Sequence, residues 1–222
     1  MALEPGGKPC CETPATLAPA GLAILGFGGH ARSIGDVAID LGIANLLFVD
    51  PHAREDEGFA GFPVALELPH SLPDGWKIVP GTGDGVKRER QIEHALQRDL
   101  PLTALVSARA YVGTGAQIGI GAFIAHHAHL GPLVSIGCGT IVNTSAVIDH
   151  EGRIGDFTHV SVNATIAGRC RIGSHVMIGA GATVIDNIDI ADHVIIGAGA
   201  TVVADIRKPG TYVGCPARLV RR

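Results

Sequence analysis

Stepping by six from Val106, through Val112 and Ile118 to Ile196 and Val202, meets Val, Ile or Leu seventeen times in succession without an insertion. Four residues after each comes a small or β-branched residue, such as Ala110, Thr140, Ala164 or Cys170, and Gly often follows the first position, as at Gly113, Gly119, Gly131 and Gly173. A fixed six-residue self-similarity reads as a parallel β-helix. The β-branched residue points inward, the small one fits the corner, and Gly is expected to supply the turn conformation. Three hexads close one triangular coil, so residues eighteen apart should stack about 4.8 Å apart on neighbouring coils. Each inward aliphatic contributes roughly 1.5–3 kcal/mol, while ordering each backbone residue costs on the order of 1–2 kcal/mol. A lone coil is therefore unstable, and only the stack folds. Seventeen hexads make between five and six coils.

The other 105 residues before Val106 must do something else. A chain of 222 residues has room for two modest domains. We read a tail over 1–20, an α/β domain over 21–100, a β-helix over 101–207 and a C-terminal extension over 208–222. The net charge of −4 comes without charge blocks, which excludes nucleic acid as an expected partner. Five cysteines without metal-type spacing, Cys10, Cys11, Cys138, Cys170 and Cys215, read as reduced thiols of a cytoplasmic protein. No long apolar run and no basic-then-apolar leader stands in the chain, so neither membrane insertion nor export is expected.

The α/β stretch opens with a buried-strand pattern, Leu22-Ala23-Ile24-Leu25, running into Gly26-Phe27-Gly28-Gly29-His30-Ala31. A helix to about Leu41 and a second strand, Leu46-Leu47-Phe48-Val49, follow. Gly26, Gly28 and Ala31 satisfy the G-x-G-x-x-A fingerprint, and Asp50 supplies an acidic residue about twenty positions on. Such glycines let a phosphate approach the backbone and the positive end of the helix. A dinucleotide dehydrogenase would need two such halves. Only one more strand (Lys77-Ile78-Val79) and one more helix (about Lys87 to Leu96) precede the repeats. The stretch therefore reads as a site for one nucleotide, with Gly81-Thr82-Gly83-Asp84-Gly85 as a second glycine turn at a strand's carboxyl end. Arg88 and Arg90 either reach a pyrophosphate or form a solvated helix face.

Within the repeats, histidine carries the chemistry. A zinc site of the γ-carbonic-anhydrase kind needs two histidines five apart, and no two here are so spaced. Eighteen-residue stacking brings together only His175 and His193, so no metal is expected. Asp149-His150-Glu151 is the sharper candidate. His150 lies two places after an inward Ile148 and should face out, where an acidic neighbour can raise its basicity for general-base work. An exposed turn histidine remains the alternative reading.

These residues resemble a known family. An N-terminal Gly-x-Gly-Gly-His-Ala turn ahead of hexapeptide repeats is similar to the sugar acyltransferases of the bacillosamine and perosamine N-acetyltransferase group, with the sialic acid O-acetyltransferases as relatives. The stretch from Asn143 to Glu151, continued by Ile154-Gly155-Asp156-Phe157-Thr158-His159, resembles that group's active-site text, and Gly214-Cys215-Pro216-Ala217-Arg218 resembles its ending. The resemblance implies a left-handed parallel β-helix assembled as a homotrimer, with acetyl-CoA as co-substrate and a nucleotide-activated amino sugar as acceptor. It implies His150 as general base supported by Glu151. His159 would meet the acetyl-CoA end, with Gly168, Ala180 and Ala198 along the cofactor. Gly28, Gly29, His30, Asp50, Gly83 and Asn143 would hold the nucleotide sugar. Pro51 stands where a bacillosamine-type relative has a second acidic residue, a departure that weighs against uridine and leaves guanosine open. Sugar O-acetylation and a non-catalytic nucleotide-sugar scaffold are the rival readings.

Overall fold

The computed structural model describes residues 11–12, 19–54 and 56–220. Most of the expected tail, Cys10 included, lies outside them. Within it, the backbone of β1 (Cys11–Glu12) pairs antiparallel with Gly119 and Ile118 at the first rung of one solenoid sheet.

The N-terminal unit is a five-stranded sheet with two helices. In chain order it runs β2 (Gly21–Leu25), α1 (Gly29–Asp40), β3 (Leu46–Val49), β4 (Gly58–Phe59), β5 (Phe62–Ala65), β6 (Trp76–Pro80) and α2 (Gly85–Gln97). The sheet order is β4-β5-β3-β2-β6. All pairings are parallel except β4 with β5. Both β4 and β5 escape the sequence reading because they are short and β5 carries Pro63. Because β6 and β3 flank β2 on opposite sides, strand order reverses there. A crevice at the carboxyl ends of β2 and β6 is the consequence.

From Leu105 the chain winds into three parallel sheets, with the rungs up to Val202 paired to the residue eighteen positions on, as Ile136 with Ile154 and Ile148 with Ile166, and the last ones sixteen on, as Ile190 with Ile206 and Ile196 with Tyr212. The hexad aliphatics from Ile118 to Val202 are buried, as are the corner residues Ala122, Val134, Ala164 and Cys170. Buried Thr140 and Thr158 stay satisfied because each hydroxyl donates to a carbonyl on the next coil, Gly155 and Gly173, both at 2.8 Å.

The turn chemistry corrects one expectation. The glycines that follow the aliphatics are not the ones with left-handed backbone. A Cβ on Gly113 would stand 2.6 Å from Gly131 C, and one on Gly119 2.6 Å from Cys138 N. These glycines are small so that coils can stack. The left-handed position falls two residues later in each hexad, from Gly115 to Gly199, and it holds His127, Glu151, Arg169 and His175 as readily as glycine. Backbone N–H groups there bond to the coil before, as Glu151 N to Pro132 O (2.9 Å) and Arg169 N to His150 O (2.9 Å). That bonding offsets a strain of about 1–3 kcal/mol per residue.

One sheet also receives the N-terminal unit. Its outward residues Leu105, Phe123 and Ile141 are buried in one cluster with Ile34, Val37 and Phe48. At the far end, Gly210–Val213 extends this sheet and Arg218–Leu219 folds back antiparallel on it, closing the stack. Among the described residues no helix is long and apolar enough to cross a membrane.

Candidate active site

The crevice predicted by topology is a cleft of about 520 Å³ lined by residues 26–30, 49–52 and 81–83 with Lys87 and Gln91. Gly26 has a φ of +127°, which side-chain-bearing residues rarely adopt, and a Cβ on Gly81 would stand 2.8 Å from Leu25 O. These two glycines hold the strand ends together. Gly28, Gly29 and Gly83 face open space instead, so their backbone is bare to a ligand. Gly28 caps α1 without a side-chain bond, leaving first-turn N–H donors at the floor of the cleft. Asp50 braces the rim. Its Oδ2 accepts from Phe27 N (3.0 Å) and its Oδ1 from His52 N (2.9 Å). Lys87 and Gln91 line the cleft although sequence reasoning did not single them out. The register of α2 could have found them, since Lys87 and Gln91 lie one turn apart on it.

Where the cleft meets the solenoid, two imidazoles face each other. His30, from α1, packs edge-on against Phe123, and its ring centroid lies 6.2 Å from that of His159. Asn143 Nδ2 lies 3.3 Å from His159 Nε2. His30 Nε2 and His159 Nδ1 are buried without a protein partner, so this junction keeps unspent hydrogen-bonding capacity. Burial, with His159 and Arg88 adding to it, pulls His30 down to about 3. Burial and the Arg88 charge pull His159 down to about 4, against a contact with Gly83. Both rings are neutral at pH 7.

Arg88 departs from both sequence readings. It is 1% exposed, so it is neither a solvated residue nor a phosphate ligand. Its guanidinium donates to carbonyls of Gly139, Thr82 (3.0 Å) and Phe157 (2.7 Å), bolting the Gly81–Gly85 turn to a solenoid corner. Burial lowers it to about 10, partly opposed by Asp84, and it stays charged at neutral pH. Arg90 is exposed.

His150 and Glu151 lie elsewhere. They occupy the corner between the Val147–Ile148 and Arg153–Ile154 strands, which joins the two six-stranded sheets. The third sheet, which carries His159, lies across the prism core from that corner. As expected from the hexad phase, the His150 side chain reaches solvent (38% exposed), with Nδ1 3.7 Å from Glu151 Oε1. Gly168, on the next coil, makes room for it, because a Cβ there would overlap the imidazole. Ala180 and Ala198 are exposed at another corner on successive coils, tied by Gly199 N to Ala180 O (2.9 Å). One chain thus brings together His30, Gly83, Asn143 and His159, and leaves His150, Glu151 and Gly168 on the far side. His175 and His193 do stack, with centroids 5.0 Å apart and planes 7° apart. Among the described residues no cluster of three or more His, Cys, Asp or Glu could hold a metal ion.

A hexapeptide solenoid with outward histidines, joined to half a doubly wound domain, defines an acyltransferase of the hexapeptide-repeat class. The bacterial transferase hexapeptide model matches residues 151–186 and 169–204, and the PglD N-terminal domain model matches residues 21–95. The acetyltransferase domain of PglB from Neisseria gonorrhoeae FA1090, solved with acetyl coenzyme A, is 32% identical, with a TM-score of 0.86 over 91% of this chain and 100% of that one. A histidine-to-asparagine mutant of perosamine N-acetyltransferase from Caulobacter crescentus, solved with CoA and GDP-perosamine, is 28% identical, with a TM-score of 0.85 over 91% of this chain and 97% of that one. No curated protein sequence matches. The chain belongs to the hexapeptide-repeat sugar N-acetyltransferase family, in the group of the bacillosamine and perosamine N-acetyltransferases.

Proposed function

We propose that this protein transfers an acetyl group from acetyl-CoA to the 4-amino group of a nucleotide-linked 4-amino-4,6-dideoxy sugar, and that it does so in the cytoplasm as a homotrimer. The nucleotide lies in the cleft at Gly28, Gly29, Asp50 and Gly83, and Asn143, His30 and His159 meet the sugar and the thioester end. His150, held beside Glu151, is the general base. The neutral amine attacks the thioester carbonyl, the nitrogen's proton passes to His150, and the tetrahedral centre collapses with loss of the CoA thiolate. General-base help of this kind is worth roughly 10²–10⁴-fold, on top of the gain from holding both reactants.

The observation that carries this reading is the seat of His150: an outward imidazole lying across a residue with no side chain, next to a carboxylate. Its position across the prism from the nucleotide cleft supports a site closed by a second copy. Structures of relatives with acetyl coenzyme A, and with CoA and GDP-perosamine, support the two substrates. The test is release of free CoA across a panel of UDP-, GDP- and dTDP-linked 4-amino sugars. We expect one of these to be accepted by the wild type, and His150→Ala to lose at least 10²-fold in kcat with its melting temperature kept. Acceptance of sugar hydroxyls alone would replace N- by O-transfer. A His150→Ala protein of full activity would remove the base.

A further inference from the structure

The first half of α2 is polar, with Lys87, Arg88, Glu89, Arg90 and Gln91 in succession, yet one stripe of the helix, Arg88, Ile92 and Ala95, is buried. Arg88 is 1% exposed, and its donors reach both units of the protein. On one side Nη1 donates to Thr82 O (3.0 Å), in the glycine turn of the N-terminal unit. On the other, Nε donates to Gly139 O, and Nη2 to Phe157 O (2.7 Å) and Thr158 O (3.4 Å), all on the solenoid. The chain neighbours of these acceptors matter most. Thr82 precedes Gly83, whose bare backbone faces open space, and Thr158 precedes the buried imidazole of His159. One rigid planar group therefore spans the joint between the cleft and the transfer residue.

A second feature of α2 fixes the same spacing. Its first residue comes so near the solenoid corner that a Cβ on Gly85 would stand 2.8 Å from Phe157 O. The walls of the cleft, by contrast, are held by bonds within the N-terminal unit. Gly81 N donates to Leu25 O (2.9 Å), Gln91 Nε2 donates to the same carbonyl (2.6 Å), and Asp84 Oδ1 caps α2 by accepting from Lys87 N (2.9 Å). Arg88 and Gly85 thus leave the shape of the cleft to others and set where it stands over the solenoid.

Resting on the reading that the cleft binds the nucleotide and His159 meets the thioester, we infer that Arg88 is a positioning residue for acyl transfer, fixing with Gly85 the distance from Gly83 to His159. The two reactants are held on different units, so slack in the joint is slack between the reacting atoms. A misplacement of about 1 Å can cost roughly 10²-fold in rate. Arginine suits the task because its planar fork meets several carbonyls at once, whereas a lysine offers one ammonium on a flexible stem. The same cation adds to burial in keeping His30 and His159 neutral.

Two variants loosen the joint by different routes. Arg88→Lys keeps a cation and loses the fork. Gly85→Ala forces α2 away from Phe157 without touching the cation, and since alanine is the better helix residue it protects the fold. In each, kcat for free-CoA release with the accepted nucleotide sugar should fall at least about tenfold, while Kd for the bare nucleoside diphosphate and for CoA stays within about threefold. Arg90→Met, on the exposed side of the same helix, should keep wild-type kcat. The inference is overturned if either folded variant keeps wild-type kcat, a loss of melting temperature alone marking a purely structural bond. It is also overturned if the whole loss appears in the nucleoside-diphosphate Kd, which would make the joint part of the nucleotide site. Should the wild type bind nucleoside diphosphates but release no CoA with any nucleotide sugar, the function reading falls first and this inference with it.

Discussion

At the scale of single residues, the most informative one has no side chain. Gly168 keeps an ordinary backbone, so nothing in its conformation demands glycine. What demands it is the imidazole of His150 lying across its Cα. Sequence reasoning placed Gly168 along the cofactor by resemblance, and the geometry adds that it seats the His150 ring. Gly168→Ala should therefore act through His150 and through nothing else. We expect a fall of at least tenfold in kcat with the melting temperature within a few degrees, since one displaced exposed ring costs little stability. The decisive measurement is a double-mutant cycle. In a His150→Ala background the same substitution should have almost no further effect, giving a coupling of about 1.4 kcal/mol or more, the equivalent of tenfold. Independent, additive losses would mean that Gly168 serves the cofactor directly.

At the scale of elements, the solenoid was legible because its signal is repeated in every coil. The joint between the two units was not, for an identifiable reason. The residue before each hexad aliphatic points outward, and taking every third one separates the faces: Leu105, Phe123, Ile141, His159, Met177 and Ile195 on one, Gln117, Ser135, Arg153 and Arg171 on another. The apolar face is the one that docks the N-terminal unit, so the signal was there in a period of eighteen. Arg88 left no such trace, because a lone arginine on a polar-looking helix reads as solvated until its carbonyl partners on another element are known. Docking buries His30 and His159 as neutral rings, and this has a pH consequence. In the unfolded chain both titrate near 6.5, whereas the folded values are about 3 and about 4. Below pH 6.5 the unfolded state therefore binds more protons, and stability must fall on acidification towards pH 4. A His30→Gln/His159→Gln double variant should lose part of that slope in denaturant titrations between pH 7 and pH 4. An unchanged slope would show that neither ring is buried neutral.

At the scale of the whole molecule, a single copy is divided against itself. The glycine turns, Asn143 and His159 lie on one side of the prism, and His150 with Glu151 on the corner opposite, with the buried stack of Ile148, Ile154 and Val160 between them. A proton cannot be passed through that core, so the proposed chemistry requires the base of one copy to reach the cleft of the next. In a closed ring of three, each copy lends its corner to one neighbour and its cleft to the other. That arrangement predicts rescue between dead proteins. His150→Ala removes the proposed base, and Gly29→Trp fills the cleft floor, where a side chain meets open space and the fold is undisturbed. Each should be inactive alone. Co-assembled in equal amounts, a functional seam forms wherever an intact corner meets an intact cleft, which in a randomly mixed closed ring is about one interface in four. Activity should therefore return to about a quarter of wild type, scaling with the product of the two fractions as the mixing ratio is varied. If each copy instead held a complete site of its own, mixing would restore nothing at any ratio.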